Sequence, residues 1–315
     1  MIKLSILIPH YNTPHLLKIL LDSIPFSDAI QVIVCDDRST KDLDVLDEVK
    51  RSYPQVTFIV NTSEVKGAGA SRNQALDLAT GEFVLFADAD DYFVSEVWDL
   101  LSPYLTQDQD LVIFKFASIY LNTNTDAHRS DRYSALIDRY LANPNQTNED
   151  ALRFMNPTPV TKLIKRAILE EHQIRFDMIR HSEDVLFASK VGYYAETIIA
   201  DPRVLYVATR SEGSQTMTVS ETIFDIRVDV LIRNVKFLRE HLPKARFKTL
   251  RFESISILIS AYKNHLSFAK IVATARLMKK NGLRLLPKSI FHPGVFFSHL
   301  KYYRLKHKAA PKDTV

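Results

Sequence analysis

Between Leu4 and Ala87 the chain turns apolar four times, over Leu4–Ile8, Gln31–Cys35, Val56–Val60 and Glu82–Ala87, and a helix-forming segment separates each pair of neighbouring runs. Runs this short have strand length rather than helix length. Strands that alternate with helices return by crossovers instead of hairpins. That yields βαβ units, a mostly parallel sheet and right-handed connections. The intervening segments carry helix punctuation. Thr13-Pro14 supplies an N-cap and a first-turn proline for a helix reaching about Ser23, a charged helix covers about Asp42–Arg51, and Gly69–Thr80 is helical until Gly81 stops it. Asp110–Tyr120 reads as a further strand. Ligands of such sheets bind outside the carboxyl ends of the strands. Asp36, Asp37, Asp88 and Asp90 all fall on that edge.

Further along, the pattern changes. Residues 121–148 are polar and fit either an irregular excursion or a helical hairpin, and residues 151–207 return to short helices and strands. From about Ser220 only helical periodicity is left, broken at Pro243, Gly282, Pro287 and Pro293. The 315 residues suit one large domain with an appendage. A net charge of +4 conceals a split. Residues 254–315 hold 12 Lys/Arg against one acid, Asp313, and carry +11, which leaves −7 on residues 1–253. An acidic body with a basic tail points to an anionic surface as partner. Residues 288–304 interleave bases with Phe291, Phe296, Phe297, Tyr302 and Tyr303. Such a segment either lies in a bilayer interface or packs its aromatics on the preceding α/β domain. Nucleic acid is disfavoured, because these aromatics sit on no recognisable nucleic-acid-binding fold. No apolar run reaches the 18 or more residues of a membrane span. The start, Met1–Pro9, is too short for a signal peptide and runs straight into a strand. The lone cysteine, Cys35, excludes an internal disulfide and reads as a small core residue. The expectation is a cytoplasmic chain, peripheral on the inner face of the cytoplasmic membrane through residues 254–312.

Three clusters carry chemistry. Asp88-Ala89-Asp90-Asp91 follows the strand Phe83-Val84-Leu85-Phe86 directly. Alternating carboxylates on a turn converge on one hard cation, Mg²⁺ or Mn²⁺, which bridges the phosphates of a nucleoside diphosphate. A lone acidic turn is ordinarily just solvated, but these acids end an apolar strand in an α/β order, and that favours the metal. Asp36-Asp37-Arg38-Ser39 ends the second strand. A carboxylate there either accepts hydrogen bonds from a uracil ring or a ribose, or caps the next helix. Gly67-Ala68-Gly69-Ala70-Ser71-Arg72-Asn73 imitates a dinucleotide fingerprint, but Asn61–Lys66 separate it from its strand and Arg72 replaces the third glycine. Its glycines permit close backbone approach at a helix N-terminus. Arg72 either faces a nucleotide from that helix or is a surface arginine paired with a nearby acid.

Taken in order, Ser5-Ile6-Leu7-Ile8-Pro9-His10-Tyr11-Asn12, Asp36-Asp37-Arg38-Ser39, Gly67-x-Gly-x-x-Arg72-Asn73 and Gly81-Glu82-Phe83 leading into Asp88-Ala89-Asp90-Asp91 resemble the glycosyltransferase family 2 enzymes of the GT-A fold. A weaker likeness continues through Thr161-Lys162-Leu163-Ile164-Lys165-Arg166, Ile174-Arg175-Phe176 and His181-Ser182-Glu183-Asp184-Val185-Leu186-Phe187. It is similar to the acceptor half of bacterial capsule and lipopolysaccharide transferases, and the whole resemblance covers roughly residues 1–215. It implies a GT-A-like, Rossmann-type catalytic domain over 1–219, with a nucleotide-sugar-binding half (1–120) and an acceptor half (121–219), then a helical basic region over 220–315. It implies inverting transfer from a UDP-sugar, or another nucleotide-sugar, to a hydroxyl of a glycan or lipid-linked acceptor in surface polysaccharide synthesis. Pro9, Tyr11, Asp37, Gly67 and Arg72 would then line the nucleotide, Asp88 would sit near ribose and metal, and Asp90 would be the principal ligand of Mn²⁺ or Mg²⁺. Asp184 would be the catalytic base. Its other reading is a first-turn acid opposing a helix dipole. Many relatives place a metal-binding histidine after the Glu-Asp pair. This chain has none between Asp184 and Ser220 and offers Arg210 instead. A sugar-nucleotidyltransferase would carry a glycine-rich loop after its first strand, where this chain has Pro9-His10-Tyr11-Asn12. A non-catalytic sugar- or membrane-binding module would have no need of Asp88, Asp90 and Asp184.

Overall fold

Strand β1 (Leu4–His10) sits inside the sheet, and its alternation shows how the layers form. Leu4, Ile6 and Ile8 pack on one face with Leu17, Leu20 and Leu21, whereas Leu7 packs on the other with Ala75, Leu76 and Phe187. Both faces are covered, so the strand reads as one apolar run. The computed structural model describes residues 1–210, 220–250, 252 and 255–283. The remaining strands are β2 (Ile30–Asp36), β3 (Thr57–Val60), β4 (Phe83–Phe86), β5 (Tyr92–Phe93), β6 (Leu111–Tyr120), β7 (Lys162–Lys165) and β8 (Ile198–Arg210). The first helices are α1 (Pro14–Asp22), α2 (Leu43–Ser52), α3 (Ala68–Asp77), α4 (Val97–Leu101), α5 (Asp131–Ala142) and α6 (Gln146–Phe154). They are followed by α7 (Arg166–Glu171), α8 (Asp184–Tyr194), α9 (Glu221–His241), α10 (Lys244–Thr249), α11 (Ile255–Lys263) and α12 (Phe268–Lys280).

The eight strands form one sheet in the order β3-β2-β1-β4-β7-β6-β8-β5. The pairs β2–β3, β1–β2, β1–β4 and β6–β8 are parallel, and β7 runs antiparallel between β4 and β6. The four opening runs are therefore strands of a mostly parallel sheet, as the alternation requires. Cys35 is buried, and burial pushes its thiol up to about 11, as befits a core residue. The polar stretch after β6 divides: an exposed turn comes first, then the paired helices α5 and α6. The 13-residue β8 is the largest departure from the expected short elements. Its register against β6 shifts around Lys115, a bulge that lets a long strand bend across to β5.

Among the described residues, two compact units are separable: 1–210 with Phe237–Leu250, and 220–236 with 252 and 255–283. In the second, Lys270 on α12 pairs with Glu221 and Asp225 on α9. Tyr262 and Phe268, which flank the turn between α11 and α12, are 75% and 80% exposed. No helix among the described residues is long and apolar enough to cross a membrane. Residues 284–312 of the basic tail, including the aromatic cluster Phe291–Tyr303, lie outside the described residues, as do Ser211–Ser214.

Candidate active site

The loops after β1, β2 and β3 are tied to one another at the carboxyl edge of the sheet. His10 is fully buried and its Nδ1 lies 2.8 Å from Asp36 Oδ1, while its Nε2 accepts from the Thr13 N–H at 3.3 Å. That pattern assigns the ring proton to Nδ1. Asp36 also accepts from the Ser39 backbone and hydroxyl. Burial pushes the Asp36 carboxyl up, but the hydrogen bonds from His10 and Ser39 outweigh it and hold it below its ordinary range. Asp36 is thus a structural acid. Asp37 turns the other way: its Oδ1 accepts from Asn61 Nδ2 at 2.6 Å and its Oδ2 from the Gly67 N–H at 2.8 Å. Tyr11 is 43% exposed beside Pro9, and Lys66 Nζ stands 5.5 Å from its ring centre. Asn12 and Arg38 take left-handed backbone, which bends both loops over this edge.

Gly67 precedes α3 at φ 138°, a conformation other residues rarely adopt. Gly69 is close-packed for a different reason. A Cβ there would meet the Asp177 carbonyl at 2.5 Å and Glu183 Cγ at 3.0 Å. The close approach expected of these glycines is therefore an approach of protein to protein: α3 receives the segment carrying Glu183-Asp184. Phe176 anchors the same segment, stacked on Phe187 at 3.8 Å and edge-on to Phe86 at 5.0 Å. Arg72 is 4% exposed. Its Nη2 donates to Asp88 at 2.5 Å and its Nη1 to Glu183 at 2.9 Å. It is a buried arginine with two acids, which departs from the alternative of a surface arginine paired with one.

The Asp88–Asp91 turn is built against β8. The Asp88 N–H donates to the fully buried Tyr206 hydroxyl at 2.7 Å. Thr209 donates its N–H to Asp91 Oδ1 at 2.7 Å and its hydroxyl to the Asp90 carbonyl at 2.5 Å. Asp91 is consequently turned inward, and Asp88 and Asp90 are left at the surface of the edge. Burial first, and then the Asp88 and Asp90 carboxylates, drive the Asp91 carboxyl well above its ordinary value. Asp90 is pushed up to about 6, first by the protein around it and then by Asp88. Asp90 is also open to solvent, and water that reaches its carboxylate screens part of the repulsion from Asp88. Crowded carboxylates of this kind suit a divalent cation, which relieves their repulsion. Phosphate oxygens and water would supply the ligands that two carboxylates leave open. Asp88 and Asp90 therefore fit Mn²⁺ or Mg²⁺. Among the described residues, the group of three metal-type ligands within 4.8 Å is Asp126, His128 and Asp131, all exposed and away from this turn in sequence.

Asp184 opens α8, as its placement after Glu183 suggested. Its carboxyl is pushed up to about 7, mainly by burial and next by Glu183, against the pull of Arg72 and Lys162. Lys162 itself is 1% exposed and donates to the carbonyls of Asn156 and Thr158. A carboxylate poised there can take a proton near neutral pH. Sequence reasoning missed Asn61, Tyr206 and Thr209 as participants. None has a local signature, because each acts by meeting a partner distant in sequence.

A doubly covered sheet in this order, with paired carboxylates after β4 and a poised acid at the start of α8, defines a GT-A glycosyltransferase fold. The model of glycosyl transferase family 2 matches residues 5–173, more than half of the chain. The chain belongs to that family. It is 30% identical over 227 residues to the poly(ribitol-phosphate) beta-glucosyltransferase of Bacillus spizizenii, a match covering 66% of this chain and 32% of that protein. The chain thus spans about a third of that relative's length. The crystal structure of Staphylococcus aureus TarS 1-349 in complex with UDP-GlcNAc superposes with a TM-score of 0.59 at 23% identity, covering 85% of this chain and 73% of that one. The mannosyltransferase PcManGT from Pyrobaculum calidifontis, in complex with GDP-Man and Mn²⁺, gives 0.58 at 17%, covering 96% and 85%. At these identities the two structures speak for the fold.

Proposed function

We propose that residues 1–219 transfer a sugar, with inversion, from a nucleotide-sugar, in first place a UDP-sugar, to a hydroxyl of a glycan or lipid-linked acceptor in the synthesis of a bacterial surface polymer. The observation that carries this reading is the Arg72 bridge. One buried guanidinium holds Asp88, of the acidic turn, and Glu183, the neighbour of Asp184, so that metal-type carboxylates and base belong to one constellation. The relatives support the substrate class, since one acts on poly(ribitol-phosphate) and two neighbours bind UDP-GlcNAc or GDP-Man.

In this reading residues 1–120 hold the donor and 121–219 the acceptor. Tyr11 and Pro9 face the base, and Asp37, fixed by Asn61 and Gly67, retains lone pairs to accept from it. Arg72 reaches the nucleotide through Asp88. Asp88 and Asp90 would hold Mn²⁺ or Mg²⁺, which would supply positive charge to the diphosphate. Asp184 accepts the acceptor hydroxyl proton as that oxygen bonds to the anomeric carbon. The bond from that carbon to the phosphate oxygen breaks, and its electron pair leaves with the nucleoside diphosphate. The basic region from 254 onward brings the enzyme to an anionic membrane on the cytoplasmic side, where lipid-linked acceptors reside. Titration calorimetry with UDP and Mn²⁺ on the full chain and on Asp90→Ala tests the donor site. The wild type binds UDP only with the metal and the variant, still folded, does not. Equal binding by both sinks the assignment of Asp90.

A further inference from the structure

Arg129 is brought to the acidic turn from the segment between β6 and α5. Its backbone N–H donates to Ser118 Oγ at 2.9 Å, and its Nη1 donates to the Thr209 carbonyl at 3.3 Å. Thr209 is the residue that fastens the turn, bonding the Asp90 carbonyl and the Asp91 carboxylate. One strand residue therefore holds the Asp90 peptide with its hydroxyl and a guanidinium with its carbonyl. The two arginines of this region differ in what they have left to give. Arg72 is buried and ion-paired with Asp88 and Glu183. Arg129 is exposed and, among the described residues, makes no ion pair within 4.0 Å.

An exposed guanidinium bonded to the residue that fastens the acidic turn suits a polyanion, which would share the cation with the acids and take hydrogen bonds from the arginine. The order of the sheet says which part of that polyanion. The nucleoside loops follow β1 and β2, the acidic turn follows β4, and Arg129 arrives from β6, on the side away from the nucleoside. We propose that Arg129 contacts the distal phosphate of the bound nucleoside diphosphate and supports the charge that gathers there as the sugar departs. The proposal rests on the nucleotide-sugar reading above.

Calorimetry on the full chain in Mn²⁺, with UDP and UMP as separate probes, tests it on wild type, Arg129→Gln and Arg129→Lys. Arg129 is exposed, so both variants keep the wild-type unfolding temperature. A lost charge-assisted hydrogen bond weakens UDP binding by roughly 10- to 100-fold. UMP, which lacks the distal phosphate, changes by less than about threefold, and the lysine variant recovers part of the UDP affinity by charge alone. If Arg129→Gln weakens both nucleotides equally, or neither, the assignment is overturned. A raised acceptor KM with unchanged UDP affinity overturns it in favour of an acceptor contact. A wild type that fails to prefer UDP over UMP in Mn²⁺ refutes the donor reading itself and takes this proposal with it.

Discussion

Replacing Arg72 by Met tests the constellation at its centre. Methionine keeps most of the length and apolar bulk, so the change removes charge rather than volume. Arg72 has a 5% exposed side chain, and its partners Glu183 and Asp88 are 14% and 36% exposed. Breaking a buried pair by removing one partner costs about 3–5 kcal/mol, because the remaining charge is left uncompensated. Water that reaches Asp88 repays part of its loss, so Glu183 dominates and the lower figure, about 3 kcal/mol, is expected. For a domain of this size that lowers the unfolding temperature by roughly 6–12 °C. Calorimetric unfolding of the full chain measures it, reading the transition of the catalytic unit. A second variant isolates the cause. Glu183→Gln in the Arg72→Met background removes the stranded charge and recovers about 1–2 kcal/mol, a non-additivity expected of groups in one network. Metal-dependent UDP binding weakens as well, since Asp88 loses the group that orients it. An unfolding temperature within about 2 °C of wild type, or strict additivity of the two substitutions, refutes the bridge as an energetic unit.

Other outcomes follow from the same geometry. Asp184→Asn retains donor affinity and lowers turnover by about a hundredfold or more, as loss of a general base does. A rate near wild type moves the base to Glu183. In the wild type the base works only when ionised. Because burial raises the Asp184 carboxyl to about 7, kcat/KM measured across pH falls as pH drops below about 7 and levels off above it. A profile flat down to pH 5 contradicts that role. Gly69→Ala drives a Cβ to 2.5 Å from the Asp177 carbonyl, so the Glu183 segment shifts; stability drops by about 1–3 kcal/mol and turnover by more than thermal melting alone explains. For the basic region, flotation with anionic liposomes recovers the full chain at low salt and progressively less as salt rises, at about 1 kcal/mol per engaged base. Truncation after Asn281 abolishes recovery. Equal recovery of both forms removes the tail from the interaction.

The sequence determined what is local. Four apolar runs with helical spacers fixed a mostly parallel sheet, since side-chain period and strand length are written in neighbouring residues. The carboxyl edge followed, and with it the acids after β2 and β4 as candidates. Glu183-Asp184 at the head of α8 was legible for the same reason, as a helix start. Which acid faces outward was legible only through the family resemblance, because Asp88, Asp90 and Asp91 are chemically alike in the sequence. Tyr206 and Thr209 decide it, bonding the turn from a strand 118 positions away and drawing Asp91 inward. Arg72 was visible as a charge, but its two partners were not, one of them being 111 residues distant. Arg129 lay in a polar stretch without periodicity, where nothing local distinguishes a solvated arginine from one set beside the acidic turn. Propensity and period are properties of a short window, whereas the choice of partner for a buried charge is settled only when distant strands enter the same sheet and water is excluded between them.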